Sequence, residues 1–216
     1  EHIEDRRMDG CDELGPSMTY RLVLRVGRDG VVEERARTLM RQGEHFHSDA
    51  CRPLGRRPEG FVDAPNRGTL RDWLASAMHT EAESVRAFER LARELEAHEA
   101  PRELVEAARS AADDERDHAW RVAELAAQLG FELHPSIARD DLPVRSLAEA
   151  AHDNAVEGCV LEAYGAALAA WQSARSRDAR VRAHYARIAE DELRHAALSF
   201  TLRDFFRSRL PAETRA

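Results

Sequence analysis

The chain has 216 residues, of which 43% are hydrophobic and 33% are charged, and its formal net charge is −8. This length is typical of one domain with an appendage, and this balance indicates a globular protein rather than a disordered one. The lack of an apolar run near the roughly 18 residues that a spanning helix needs predicts no transmembrane segment, and the negative charge argues against a nucleic-acid partner.

Residues 1–68 are predicted to form an N-terminal extension, because they carry most of the glycine and proline. From Tyr20 to Val26, apolar residues at every second position alternate with Arg21, Val23 and Arg25, and a Gly-Arg-Asp-Gly turn follows at residues 27–30. This pattern predicts a β-hairpin. Because an isolated hairpin is only marginally stable, we expect it to pack on the following domain.

The extension also bears on the location of the protein. A disulfide between Cys11 and Cys51 would indicate an oxidising compartment, and two unpaired thiols are the alternative. The chain begins with Glu1 rather than Met, so we expect a signal segment or a tag to have been removed. The predicted location is the cytoplasm or, with a disulfide and a removed signal segment, the periplasm or the exterior.

Residues 69–210 are predicted to form the main domain, with four long helices at about 69–98, 101–129, 146–174 and 178–208. The links within the first pair and within the last pair are very short, so each pair should form an antiparallel hairpin. The link at residues 131–145 is long enough to cross the bundle. The predicted fold class is therefore all-α, a ferritin-like four-helix bundle with a small N-terminal extension.

An Asp-Glu-x-x-His motif occurs twice, at Asp114–His118 and at Asp191–His195. Glu and His three positions apart lie side by side on one helix face and can hold one metal ion. The apolar face of each of the other two predicted helices is interrupted by one glutamate, Glu81 or Glu157. The four helices thus offer four carboxylates and two imidazoles to one interior.

The two halves of the domain agree in spacing. Glu81 and Glu157 are 76 residues apart, and the motif glutamates, Glu115 and Glu192, are 77 residues apart, as an internal repeat predicts. Four buried carboxylates would repel one another, and each would cost several kcal/mol to bury unpaired. The predicted inward faces do not include Arg86, Arg116, Arg187 or Arg194, so two divalent cations are the expected counter-ions.

Residues 69–208 resemble the ferritin-like di-iron carboxylate superfamily, which includes rubrerythrins, bacterioferritins and tRNA hydroxylases of this fold. The resemblance implies one half-site of Glu81, Glu115 and His118, and a second of Glu157, Glu192 and His195, with Glu115 and Glu192 bridging. It also implies that the aspartate of each motif, Asp114 or Asp191, accepts a hydrogen bond from the histidine of the other.

Two residues near the predicted site have competing interpretations. Glu162 lies off the predicted inward face and its repeat equivalent is Arg86, so Glu157 is the preferred ligand. A π-bulge would reverse that preference, because one inserted residue re-aims a helix face. Tyr164 falls on the predicted inward face, where a core residue is the favoured interpretation and a redox relay the alternative.

Carboxylate-rich sites without thiolates suit iron or manganese, so the expected cofactor is two Fe ions, with Mn or a mixed Fe/Mn pair as alternatives. The resemblance implies an oxidoreductase that activates O2 or peroxide and acts on a small substrate that the sequence does not identify. An iron-handling ferroxidase or storage protein and a manganese catalase-like peroxide scavenger are the alternatives. The chain has no Cys-x-x-Cys pair, so any electron donor is expected to be external, and a homodimer is left open.

Overall fold

The computed structural model of the chain describes residues 2–8, 18–26, 32–42, 55–64, 69–138, 142–176, 178–211 and 213. Cys11 and Cys51 lie outside the described residues, so the choice between a disulfide and two thiols remains a prediction. Among the described helices, none is both long enough and apolar enough to cross a membrane.

Three segments of the extension have strand backbone: β1 (His2–Met8), β2 (Met18–Val26) and β3 (Val32–Gln42). They pair antiparallel in the order β1-β2-β3, and two register shifts interrupt the pairing of β2 with β3. The turn of the predicted hairpin, at residues 27–31, lies outside the described residues. The sequence analysis did not anticipate β1, because its central residues are all charged and show no apolar alternation.

The helical part of the chain forms an all-α bundle, which confirms the predicted class at this level. Its elements in chain order are α1 (Leu70–Ala97), α2 (Arg102–Gln128), α3 (Leu147–Asp153), a π-helical segment (Asn154–Glu162), α4 (Ala163–Arg175) and α5 (Ala179–Arg209). The last three elements before α5 run on without a break and together occupy the place of the third predicted helix.

Local sequence signals explain where the helices begin. The Thr69 side chain accepts a hydrogen bond from the backbone N–H of Asp72 at the start of α1. Ser146 and Glu149 form a reciprocal capping box at the start of α3, and Asp178 caps α5. Each cap satisfies backbone N–H groups that have no partner within the helix, so the described helix ends lie within a residue or two of the predicted ones.

Residues 55–64, here called the strap, run along the bundle without regular secondary structure. Hydrogen bonds join the strap to α1, among them Ser84 Oγ to Arg56 O (2.8 Å) and His79 Nε2 with Val62 O (2.9 Å). It is therefore attached to the helical domain, although it precedes the predicted boundary at residue 69.

A continuous series of ion pairs joins the strap to α1, to the α2–α3 link and to α3. In order, with nitrogen–oxygen distances, the pairs are Glu59–Arg90 (3.1 Å), Arg90–Glu94 (3.3 Å), Glu94–Arg145 (2.7 Å), Arg145–Asp153 (2.7 Å) and Asp153–Arg56 (3.2 Å). Arg56 and Glu94 are each 1% exposed. Because buried charges are stable only when paired, this series fixes the strap and the link against the bundle.

The buried apolar residues form two layers within the bundle. One layer contains Phe88, Leu95 and Phe206, and the other contains Leu74, Val122 and Ile188. The middle of α1, α2 and α5, where the predicted ligands lie, falls between these layers.

Candidate metal centre

The side chains of both Asp-Glu-x-x-His motifs meet in the interior of the bundle. On one side, His118 Nδ1 lies 3.3 Å from a Glu192 oxygen, 3.7 Å from a Glu115 oxygen and 3.9 Å from a Glu81 oxygen. One ligand atom from each of these four residues lies within 4.8 Å of all the others. Such a group has the residue types and the proximity that a divalent cation requires.

A second group lies beside the first. His195 Nδ1 is 3.2 Å from a Glu115 oxygen, 3.8 Å from a Glu162 oxygen and 3.9 Å from a Glu192 oxygen. These four residues also offer ligand atoms within 4.8 Å of one another, and all four are buried. Glu115 and Glu192 belong to both groups, which is the arrangement that bridging carboxylates require.

Each imidazole contacts an aspartate through Nε2, the ring nitrogen that faces away from the cluster. His118 Nε2 lies 3.0 Å from Asp191 Oδ2, and His195 Nε2 lies 3.2 Å from Asp114 Oδ2, so both cross-motif hydrogen bonds implied by the resemblance are present. An ionised carboxylate can only accept, so each Nε2 carries a proton, and in the neutral ring that binds a metal each Nδ1 presents its lone pair to the interior. Arg194 Nη2 contacts both aspartates, at 2.6 Å from Asp191 and 3.1 Å from Asp114.

The atoms of these side chains that could bind a metal face one another and have no hydrogen-bond partner within the described part of the chain. They are Glu115 Oε1 and Oε2, His118 Nδ1, Glu162 Oε2, Glu192 Oε2 and His195 Nδ1. Carboxylate oxygens and unprotonated imidazole nitrogens are all acceptors, so they cannot satisfy one another. Buried polar atoms are seldom left unpaired. A pair of hard or borderline divalent cations such as Fe(II) or Mn(II) fits this donor set.

The electrostatics of the carboxylates indicate the same need for positive charge. Burial, together with the charges of Glu115 and Glu192, raises the pKa of Glu81 well above its usual value. Burial and the charges of Glu192 and Glu115 raise the pKa of Glu162 to about 8. Without a cation, these two side chains therefore keep their protons to a higher pH than ordinary carboxyl groups do.

The pKa values of the two imidazoles and of Glu115 are also shifted by their neighbours in the cluster. Burial disfavours the charged form of His118 and of His195, but the neighbouring carboxylates outweigh it and raise the pKa of both rings well above the usual value. Burial also disfavours ionised Glu115, yet the attraction of the nearby imidazoles of His118 and His195 prevails and lowers its pKa. In the metal-free chain, the buried carboxylates thus favour positive charge at the positions at which cations would balance them.

The structure places Glu162, rather than Glu157, with the other ligands, so the preferred residue of the sequence analysis is corrected. Glu162 is 0% exposed and belongs to the second group. Glu157 is only half-buried, and its Oε2 accepts a hydrogen bond from the backbone N–H of Arg57 (3.1 Å). The cause is the π-helical segment, which inserts one residue into the helical turn and turns Glu162 inward.

The same insertion moves Tyr164 out of the predicted inward face. Tyr164 is 44% exposed, so the core interpretation does not fit its position, and the relay interpretation stays a prediction. Tyr185, on α5, is instead buried next to the ligands, where burial and the charges of Glu81 and Glu192 raise its pKa.

Arg56 is the functional residue that the sequence analysis missed. It comes from the strap, yet its side chain is buried against Phe88 and the π-helical segment. Its backbone N–H donates to Glu162 Oε1 (2.5 Å). The helical periodicity used to search for interior cations could not find it, because residues 55–64 are not helical. A Gly-Arg-Arg-Pro sequence in a loop carries no comparable signal.

No protein-family model, no curated protein sequence and no solved structure matches this chain. The resemblance of residues 69–208 to ferritin-like di-iron proteins therefore rests on the doubled motif, its spacing and the geometry of the cluster. Membership of that superfamily remains a prediction.

Proposed function

We propose that this protein is a ferritin-like, dinuclear-metal oxidoreductase that reduces O2 or peroxide at the Glu/His cluster and oxidises a small substrate. The observation that carries the proposal is the set of buried donor atoms on five residues that converge without partners of their own. Structural ion pairs would not leave both Nδ1 atoms and both Glu115 oxygens unsatisfied in the middle of a core.

The residues of the cluster would form two half-sites, one for each ion. Glu81 and His118 would hold one ion, Glu162 and His195 the other, and Glu115 and Glu192 lie close enough to both groups to bridge them. When bound, iron or manganese would supply the electrons that the reduction of O2 or peroxide requires. Four carboxylates would balance the four positive charges of two divalent ions, so the loaded cluster would be neutral with neutral imidazoles.

The chain would also orient the two imidazoles and exclude bulk water from the cluster. Asp114 and Asp191 fix the tautomer and the rotation of the two imidazoles, so that no reorganisation is needed when an ion binds. The apolar layers on either side keep bulk water from the cluster and strengthen its electrostatics.

The first test is metal binding followed by oxygen consumption. The metal-free protein should bind two Fe(II) per chain under anaerobic conditions, and exposure to air should then consume O2 in proportion to the bound iron, measured with an oxygen electrode. Glu192→Gln should lower both quantities, whereas Glu190→Gln, an exposed residue two positions away on the same helix, should change neither. A wild-type chain that binds no metal would contradict the proposal.

The same experiment separates the alternatives. Retention of far more than two irons per chain in a large particle would favour iron storage. Preferential loading with manganese and release of O2 from added peroxide would favour a catalase-like scavenger. Two irons that bind and never react with O2 or peroxide would leave a structural site and end the oxidoreductase proposal.

A further inference from the structure

The strap begins inside the bundle, where its first residues are buried on the side of the cluster that contains Glu162. The backbone N–H of Arg56 donates to Glu162 Oε1, and the carbonyl of Arg56 accepts a hydrogen bond from Ser84 Oγ (2.8 Å). With Oε1 bonded to the strap, Glu162 Oε2 is the oxygen that lies 3.8 Å from His195 Nδ1. The strap backbone therefore sets the orientation of this carboxylate.

The side chain of Arg56 anchors that backbone. Its Nη2 donates to Asn154 Oδ1 (2.8 Å) and to Ser199 Oγ (3.4 Å), and its Nη1 pairs with Asp153 (3.2 Å). Gly158 leaves the space for the guanidinium, since a Cβ atom there would lie 2.3 Å from Nη2. An arginine buried to 1% exposure and held by three elements is a fixed part of the site rather than a surface charge.

This anchoring makes the two halves of the cluster unequal. The Glu162 side chain is 0% exposed behind the strap, whereas the Glu81 side chain in the other half is 13% exposed. The repeat in the sequence predicts equivalent halves, but among the described residues of the extension Arg56 donates to Glu162 and none is hydrogen-bonded to Glu81.

We propose that Arg56 is a positioning residue for the metal centre: its buried guanidinium, seated over Gly158, locks the strap so that the strap backbone holds Glu162 as a ligand of the His195-side ion. The strap closes that half, and the affinity of the His195-side ion depends on Arg56 while that of the His118-side ion does not. This inference rests on the proposed function, because it presumes that the cluster binds two ions.

The test uses Mn(II), titrated into the metal-free full chain by calorimetry and followed by electron paramagnetic resonance. The wild type should bind two Mn(II) and show the spectrum of an interacting pair. Arg56→Ala should weaken one of the two equivalents by about 10–100-fold, the range found when a ligand loses its supporting hydrogen bond. At one equivalent of bound Mn(II), it should show only isolated ions.

Three further samples make the result specific to the guanidinium. Arg57→Ala removes the same charge from the next residue of the strap and leaves every backbone N–H in place, so it should behave as wild type. Addition of low millimolar guanidinium to Arg56→Ala should restore the weakened equivalent. Gly158→Ala keeps Arg56 but fills its space, so it should reproduce the loss even if Arg56→Ala fails to fold.

The outcomes distinguish this inference from the proposed function. A wild type that binds no Mn(II) overturns the proposed function and the inference with it. A wild type that binds two ions, together with Arg56→Ala and Gly158→Ala that also bind two with unchanged affinity and spectrum, overturns only the role of Arg56. Equal weakening of both equivalents in a folded variant, without rescue by guanidinium, likewise overturns it.

Discussion

Glu157 and Glu162 are five positions apart, and one inserted residue decides which of them faces the interior. In a regular α-helix, the apolar spacing of the third predicted helix turns Glu157 inward. The π-helical segment Asn154–Glu162 shifts the inward face, so that Gly158, Glu162 and Ala166 are buried instead. In this arrangement each carboxylate accepts a hydrogen bond from the strap backbone, Glu162 from Arg56 and Glu157 from Arg57.

The first prediction follows from this exchange. Glu162→Gln should weaken or abolish the binding of one Mn(II) ion, since an amide is a poor substitute for a charged ligand, and Glu157→Gln should leave both ions bound. Calorimetric titration of the two variants, which carry the same chemical change five residues apart, measures the difference. The reverse result would restore Glu157 as the ligand.

The aspartates behind the imidazoles allow a second prediction. Asp191→Asn keeps an acceptor oxygen near His118 but removes the charge that fixes its tautomer, so we expect a metal affinity about 10–100-fold lower. The neighbouring Glu190→Gln removes a charge from the exposed face of the same helix and serves as the control. An Asp191→Asn variant with wild-type affinity would show that the hydrogen bond does not support the ligand.

At the scale of elements, the series of ion pairs from Glu59 to Arg56 connects parts of the chain that helix packing alone would leave loose. The described residues of the strap and of the α2–α3 link have no regular secondary structure, and both segments are held to α1 through arginine. Glu94 is the central member, since it pairs with Arg90 and with Arg145 and is 1% exposed.

The third prediction is that Glu94→Ala lowers the free energy of unfolding by about 3–5 kcal/mol, the range for a broken buried ion pair, because it removes one carboxylate partner from both Arg90 and Arg145. Glu96→Ala, on the same helix, removes an exposed pair with Arg109 and should cost less than about 1 kcal/mol. Chemical denaturation of the two variants provides the comparison. If both variants lost the same free energy of unfolding, the buried ion pairs would contribute no more to stability than the exposed pair does.

At the scale of the whole molecule, the unpaired donor atoms in the middle of the bundle couple metal binding to stability. Any ligand that binds only the folded state stabilises it, by about 2.7 kcal/mol at one hundred times its dissociation constant. For a chain of this size, such a gain corresponds to a rise in melting temperature of roughly 5–10 °C. Removal of the metal should produce the same change in the opposite direction.

The fourth prediction concerns pH. Burial and neighbouring charge raise the pKa of Glu162 from its ordinary value of 4.5 to about 8, so the stability that it gives the metal-free chain is present below pH 4.5 and is lost as the pH rises through 8. Glu81, His118 and His195 have raised pKa values and act in the same direction. Metal ligands must be deprotonated, so the rise in melting temperature on adding Mn(II) should be larger at pH 8 than at pH 6.

Melting curves with and without Mn(II) at both pH values test this prediction. A stabilisation that is independent of pH would place the bound ions elsewhere on the chain, because only sites without raised pKa values bind metal equally well at pH 6 and pH 8.

Much of the helical domain was predictable because its signals are local. Capping residues such as Thr69 and Ser146, the short links and the 3.6-residue periodicity gave helix ends within a residue or two. The motif pairs Glu115–His118 and Glu192–His195 were identified for the same reason, since three positions along a helix bring two side chains together. The cross-motif bonds of Asp114 and Asp191 came from the resemblance and are present in the structure.

By itself, the sequence determined that two motif helices and two further helices would carry carboxylates and imidazoles to one interior, because helical spacing depends only on nearby residues. Only the tertiary structure decided which glutamate of the third helical segment completes the cluster, and that an arginine more than one hundred residues away supports it. Those two outcomes depend on how a π-helical turn, Gly158 and a strap without periodicity fit together in space. No local pattern encodes a fit among groups so far apart in the chain.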